Sequence, residues 1–151
     1  MIRYSMGNIF ESNANVILHQ VNCQGVMGSG VAKQVHDKYP KVYALYRELC
    51  DAYKNDKEKL LGVVQIVYVN KSLAIANLFA QNEFGRNGKC YTNYEALEIC
   101  LMDVNKRFKG KSVAVPYLMG CCRGGGDWKV VTRLIEDTLK DCNVTLWKYE
   151  S

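Results

Sequence analysis

A short apolar run that passes directly into a glycine-rich turn and then into a helical pattern constrains this chain more than any other feature. Val16-Ile17-Leu18 leads into His19-Gln20-Val21-Asn22-Cys23-Gln24-Gly25-Val26-Met27-Gly28-Ser29-Gly30-Val31-Ala32. A buried strand, a turn and a helix in that order are the opening of a strand–helix–strand unit. N–H groups freed at the helix start point outward, and the helix dipole favours negative charge there, so the turn suits a phosphate. A second glycine turn, Met119-Gly120-Cys121-Cys122-Arg123-Gly124-Gly125-Gly126-Asp127, follows another short apolar run. Two such loops point to a ligand with more than one phosphate, or to one long ligand held at both ends.

The rest of the chain repeats the alternation. Apolar patterning predicts strands over 2–4, 16–21, 62–70, 72–79, 112–115 and 144–147, with helices over 29–39, 42–53, 91–108 and 127–139. Tyr94, Leu97, Leu101, Val104 and Phe108 fall on one helical face. Ser29 and Asp127 stand where helix caps are expected. This order predicts an α/β domain with a mixed, largely parallel sheet. Ligands in such sheets sit outside the C-terminal strand ends, where both glycine turns fall. At 151 residues the chain fits one domain.

Composition excludes several classes. No apolar stretch reaches the length of a membrane span, and the first residues lack a secretory pattern, so a cytoplasmic protein is expected; no heptad or long apolar stripe is left over, so a monomer is expected. Seven cysteines, an odd number, argue for reduced thiols rather than a disulfide framework. Without a CxxC pair and with only two histidines, no metal site is expected. The net charge of +5 is compatible with an anionic ligand. The basic residues are scattered, with no stripe of interleaved aromatics, which disfavours nucleic acid as the main partner. The glycines lack dinucleotide-fingerprint spacing, and no GxxxxGK[ST] occurs, which disfavours hydride transfer and P-loop hydrolysis.

The combination of Gly7-Asn8, His19-x-x-Asn22-x-x-Gly25-x-x-Gly28-x-Gly30, Pro116 and Gly124-Gly125-Gly126-Asp127-Trp128 resembles the macrodomain family over the full length. The chain is most similar to the branch holding ADP-ribose 1''-phosphate phosphatases and the hydrolases of ADP-ribosyl-glutamate and ADP-ribosyl-DNA. His19 ahead of Asn22-Cys23, Tyr39-Pro40 and Leu78-Phe79 carry the phosphatase likeness. The resemblance implies a single three-layer α/β/α domain over 1–151 with a mixed central sheet. It implies ADP-ribose, or a 1''-substituted derivative free or attached to protein or nucleic acid, as the ligand. No cofactor and no membrane partner are implied.

The resemblance also implies roles. Asn15 would accept from the adenine amino group, and Cys23 would lie beside the ligand. Gly28, Ser29, Gly30 and Val31 would meet the diphosphate. Gly120, Cys121, Cys122 and Arg123 would form the second loop with Gly124, Gly125 and Gly126, closing over the distal ribose. Asn22 would bond that ribose and take part in catalysis. His19 would act as base or acid, and Asp127 would orient water or a hydroxyl. The adduct hydrolases carry a lysine where this chain has Gln81, with Lys89 further on. That departure favours phosphate removal over adduct cleavage, with a non-catalytic ADP-ribose reader as the third alternative. Packing is the simpler role for Trp128 and the Cys121-Cys122 pair, with Phe84 either core or a wall for the ligand. Solvent exposure is expected for His36.

Overall fold

The computed structural model describes residues 2–85, 87–122 and 124–149. Strands β1 (Ile2–Met6), β2 (Val16–Asn22), β3 (Val64–Tyr68), β4 (Ala74–Gln81), β5 (Ser112–Pro116) and β6 (Asn143–Lys148) form one sheet in the order β1-β6-β5-β2-β4-β3. The β3–β4 hairpin is antiparallel, and the other pairings are parallel. Helices α1 (Gly30–Lys38) and α2 (Pro40–Ala52) cover one face. Helices α3 (Tyr94–Arg107) and α4 (Trp128–Thr138) cover the other. The predicted mixed α/β/α architecture is the one observed.

Strand β2 explains why the sheet is doubly covered. Val16 and Leu18 pack with Leu97, Leu101 and Ile135 of the α3–α4 layer. Ile17 and Val21 point the opposite way, into the layer of Val35, Val42 and Tyr46. With both alternating sets apolar, the strand is stable only between two helix layers. Every residue of β4 is likewise buried.

Local chemistry sets the differences from the predicted boundaries. Helix α2 starts at Pro40, whose missing N–H falls where the helix needs none. Helix α3 starts three residues later than patterning predicts. Asn93 caps it by accepting from Ala96 N, and Thr92 pairs with Gln81 instead. Ser29 occupies the N-cap position of α1 but makes no side-chain cap bond. Among the described residues no helix is long and apolar enough to cross a membrane.

Candidate active site

A cavity of about 500 Å³ opens at the C-terminal ends of β2, β4 and β5, within the range of small-molecule sites. Its walls come from the end of β2, the turn into α1, the end of β4 with Phe84, and the second glycine loop. Among the described residues no carboxylate, lysine or arginine lines it. Charge on a ligand there meets backbone dipoles and neutral side chains.

The start of α1 supplies the donors. The bond from Lys33 N to Ser29 O opens the helix, which leaves the N–H groups of Gly30, Val31 and Ala32 without helical partners. Helices α3 and α4 satisfy theirs in part with Asn93 and Asp127, whereas Ser29 leaves its cap bond unmade. Gly28, Ser29, Gly30 and Val31 all border the cavity.

A side-chain network fixes the second loop. Gln20 Nε2 donates to Gln81 Oε1 and to Thr92 Oγ1, each at 2.8 Å. Thr92 Oγ1 donates to Gly120 O at 2.6 Å, and Gly126 N closes the loop on the same oxygen. Gly124 O accepts from Thr92 N, so the segment before α3 supports the loop. A Cβ on Gly124 would lie 2.6 Å from both Gly120 O and Thr92 Oγ1. Leu118, in the same wall, holds φ +64, a conformation rare outside glycine and asparagine.

His19 is 2% exposed and is one of the residues bordering the cavity. Nε2 lies 2.5 Å from Asn77 Oδ1, while Nδ1 is buried without a partner. Burial pulls its pKa down to about 4, against a smaller upward effect of Asn77. The imidazole is therefore neutral at pH 7. Asn22 also borders the cavity, with its amide organising the first turn. Its Oδ1 accepts from Gln24 N, its Nδ2 donates to Val26 O, and Tyr46 OH lies 2.8 Å from Oδ1.

Several expected ligand contacts fall elsewhere. Asn15 precedes β2 at the end of the strands opposite the cavity, where its Oδ1 accepts from Ser112 N. Asn22 lies seven positions further along the strand, about 23 Å at 3.3 Å per residue, so Asn15 is not part of the cavity wall. Cys23 is fully buried, its N–H donates to Asn82 O, and burial pushes its thiol up to about 12. It belongs to the core below the turn and not to the cavity wall. Gly120, Cys122 and Gly124 border the cavity; Cys121, Gly125 and Gly126 are not wall residues, and Cys121 packs against the α3–α4 core. Arg123 lies outside the described residues.

Asp127 is exposed and is not part of the cavity wall, and its Oδ1 caps α4 by accepting from Lys129 N. Lys89 is exposed and likewise stands off the wall. Trp128 packs edge-on against Tyr117, and His36, expected to be exposed, is half-buried and stacks on Tyr43. Half-exposed Phe84 is a wall residue. Sequence reading missed Gln20, Thr92 and Asn77. The signal available was polar residues inside strand patterns at Gln20 and Asn77, where an apolar side chain would be the default.

No family model matches the chain. It is 31% identical over 131 residues to a DNA ADP-ribosyl glycohydrolase of Mycobacterium tuberculosis, covering 87% of this chain and 36% of that protein. It is 31% identical over 118 residues to an ADP-ribose 1''-phosphate phosphatase of Saccharomyces cerevisiae, covering 74% of this chain and 65% of that one. The chain thus spans little more than a third of the mycobacterial relative and just under two thirds of the yeast one. The structure superposes on the macrodomain of Mycobacterium tuberculosis DarG with a TM-score of 0.78 and 26% identity, over 97% of both chains. With a mixed six-stranded sheet and four helices matching that fold, and with these relatives in sequence, the chain belongs to the macrodomain family.

Proposed function

We propose that the cavity binds ADP-ribose and that the protein is a hydrolase acting at the 1'' position, with phosphate as the group removed. Uncapped N–H groups at the start of α1 would hold the diphosphate, and Asn22 with the second loop would hold the distal ribose. The curated relatives carry ADP-ribose in their names, which supports that ligand class.

The observation that carries the phosphatase reading is Gln81. Its amide is fixed in the cavity wall between Gln20 Nε2 and Glu83 O, at the position where the adduct hydrolases of the resemblance place a lysine. A glutamine there offers neither an amine for an adduct nor a positive charge. His19 supplies a neutral ring in the same wall. In the proposed step a water oxygen bonds to phosphorus as the bond to the C1'' oxygen breaks. His19 Nδ1 takes the water proton, and the sugar oxygen takes a proton from solvent to leave as a hydroxyl. The products are ADP-ribose and inorganic phosphate.

A second reading, hydrolysis of ADP-ribose adducts on nucleic acid or protein, is favoured by the longer match to the glycohydrolase, 87% of the chain against 74% for the phosphatase. The test is inorganic phosphate release from ADP-ribose 1''-phosphate, with His19→Ala as control. Release by the parent alone supports the phosphatase. Binding of ADP-ribose without release moves the reading to adduct hydrolysis or to a non-catalytic reader. No binding at millimolar ADP-ribose overturns all of these.

A further inference from the structure

Three polar side chains form a row across the α1–α2 face of the sheet, from β2 through β4 to β3. His19 pairs in register with Asn77, and Asn77 with Gln65. The row ends on helix α2, where Gln65 Nε2 donates to Leu45 O at 3.1 Å.

The direction of every bond in the row follows from that end. A backbone carbonyl only accepts, so Gln65 must turn its NH₂ to Leu45. Its Oε1 is then left for Asn77, whose Nδ2 donates to it at 2.9 Å. Asn77 therefore presents Oδ1 to His19. An oxygen acceptor requires hydrogen on the facing ring nitrogen, so His19 carries its proton on Nε2. In a neutral ring the other nitrogen, Nδ1, keeps its lone pair. Nδ1 is the nitrogen with no protein partner. Burial and Asn77 are the influences on the ring, with no charged side chain among them.

We propose that Asn77 and Gln65 are positioning residues that lock His19 in the Nε2–H tautomer, so that Nδ1, buried and without a protein partner, keeps its lone pair as a hydrogen-bond acceptor and base. The use of that base in turnover rests on the hydrolase reading above; the tautomer does not. Neither residue borders the cavity. They act through His19, and Leu45 O is the fixed reference for the whole row.

The chain has only two histidines, which makes the tautomer directly readable. Long-range ¹H–¹⁵N spectra of histidine-labelled protein at pH 7 should show His19 protonated on Nε2. Gln65→Met frees the Asn77 amide to turn and should give a mixture of tautomers in a folded protein. Its kcat for 1''-phosphate release should fall on the order of tenfold, with KM within about twofold. Asn77→Asp keeps the acceptor, so the tautomer should persist while the acid limb of the rate profile moves to higher pH. A parent protein with the proton on Nδ1 overturns the proposal, as does an unchanged tautomer in Gln65→Met. The expected tautomers without any phosphate release would uphold the row and remove the phosphatase reading.

Discussion

Gln20 and Gln81 meet side chain to side chain at 2.8 Å across neighbouring strands, Gln20 Nε2 donating to Gln81 Oε1. The same Gln20 nitrogen reaches Thr92, which holds Gly120. Gln81 thus has a structural partner on each side, since its own Nε2 donates to Glu83 O. Gln81→Leu should lower stability to urea by about 1–2 kcal/mol, from the groups left unpaired. It should also weaken ADP-ribose binding, measured by calorimetry, as the second loop loses its support.

Ser29→Asp tests whether the open N-terminus of α1 is kept for a ligand. An aspartate at the cap position would accept from the first-turn N–H groups and stabilise the helix by about 0.5–1 kcal/mol. The same carboxylate would repel a diphosphate. A higher melting temperature together with weaker ADP-ribose binding is the expected pair of results.

His19 gives stability a defined pH dependence. Its pKa in the fold, about 4, lies below the ordinary value of 6.5, so the unfolded chain binds the proton more readily. Its contribution is therefore present above about pH 6.5 and is lost as pH falls towards 4. Between pH 7.5 and pH 5 the parent should lose about 2 kcal/mol more than His19→Gln, in urea titrations at both pH values.

Gly125 holds φ +68, and a Cβ on it would run into Lys89 O. Gly125→Ala must displace the loop from the segment before α3. A loss of about 1–3 kcal/mol in stability should accompany at least tenfold weaker ADP-ribose binding.

Asp127 separates capping from chemistry. Asp127→Ala should cost about 1 kcal/mol through the lost bond to Lys129 N, whereas Asp127→Asn should keep that stability. Turnover by Asp127→Asn is expected within about twofold of the parent. Lost turnover at unchanged stability would put the carboxylate in the reaction.

Much of the fold was legible because its signals are local. The apolar run at Val16–Leu18 and the face of Leu97, Leu101 and Val104 each lie within one element. The first glycine turn was legible for the same reason, since Gly28 to Val31 need only the helix that follows them. Asn15 was misplaced because position along a strand decides which end of the sheet a residue reaches. Cys23 was misplaced because backbone proximity to a turn does not reveal which way a side chain packs. The His19–Asn77–Gln65 row depends on the register of three strands, with 58 residues between its first two members, and no local pattern encodes it. The link from Gln20 to Thr92 spans 72 residues and was hidden for the same reason.

The first turn of α1 offers Gly30, Val31 and Ala32 as main-chain donors, and no substitution short of proline deletes a main-chain donor. Alanine substitution at Val31 would leave its main-chain donor in place and pass almost silently. Gly30, at φ +60, is held to glycine by its backbone, but sequence drift at Val31 and Ala32 is free to change size and polarity while the cradle for an anion persists. Natural variation can reshape what the cavity distinguishes at its rim without first dismantling how it holds on.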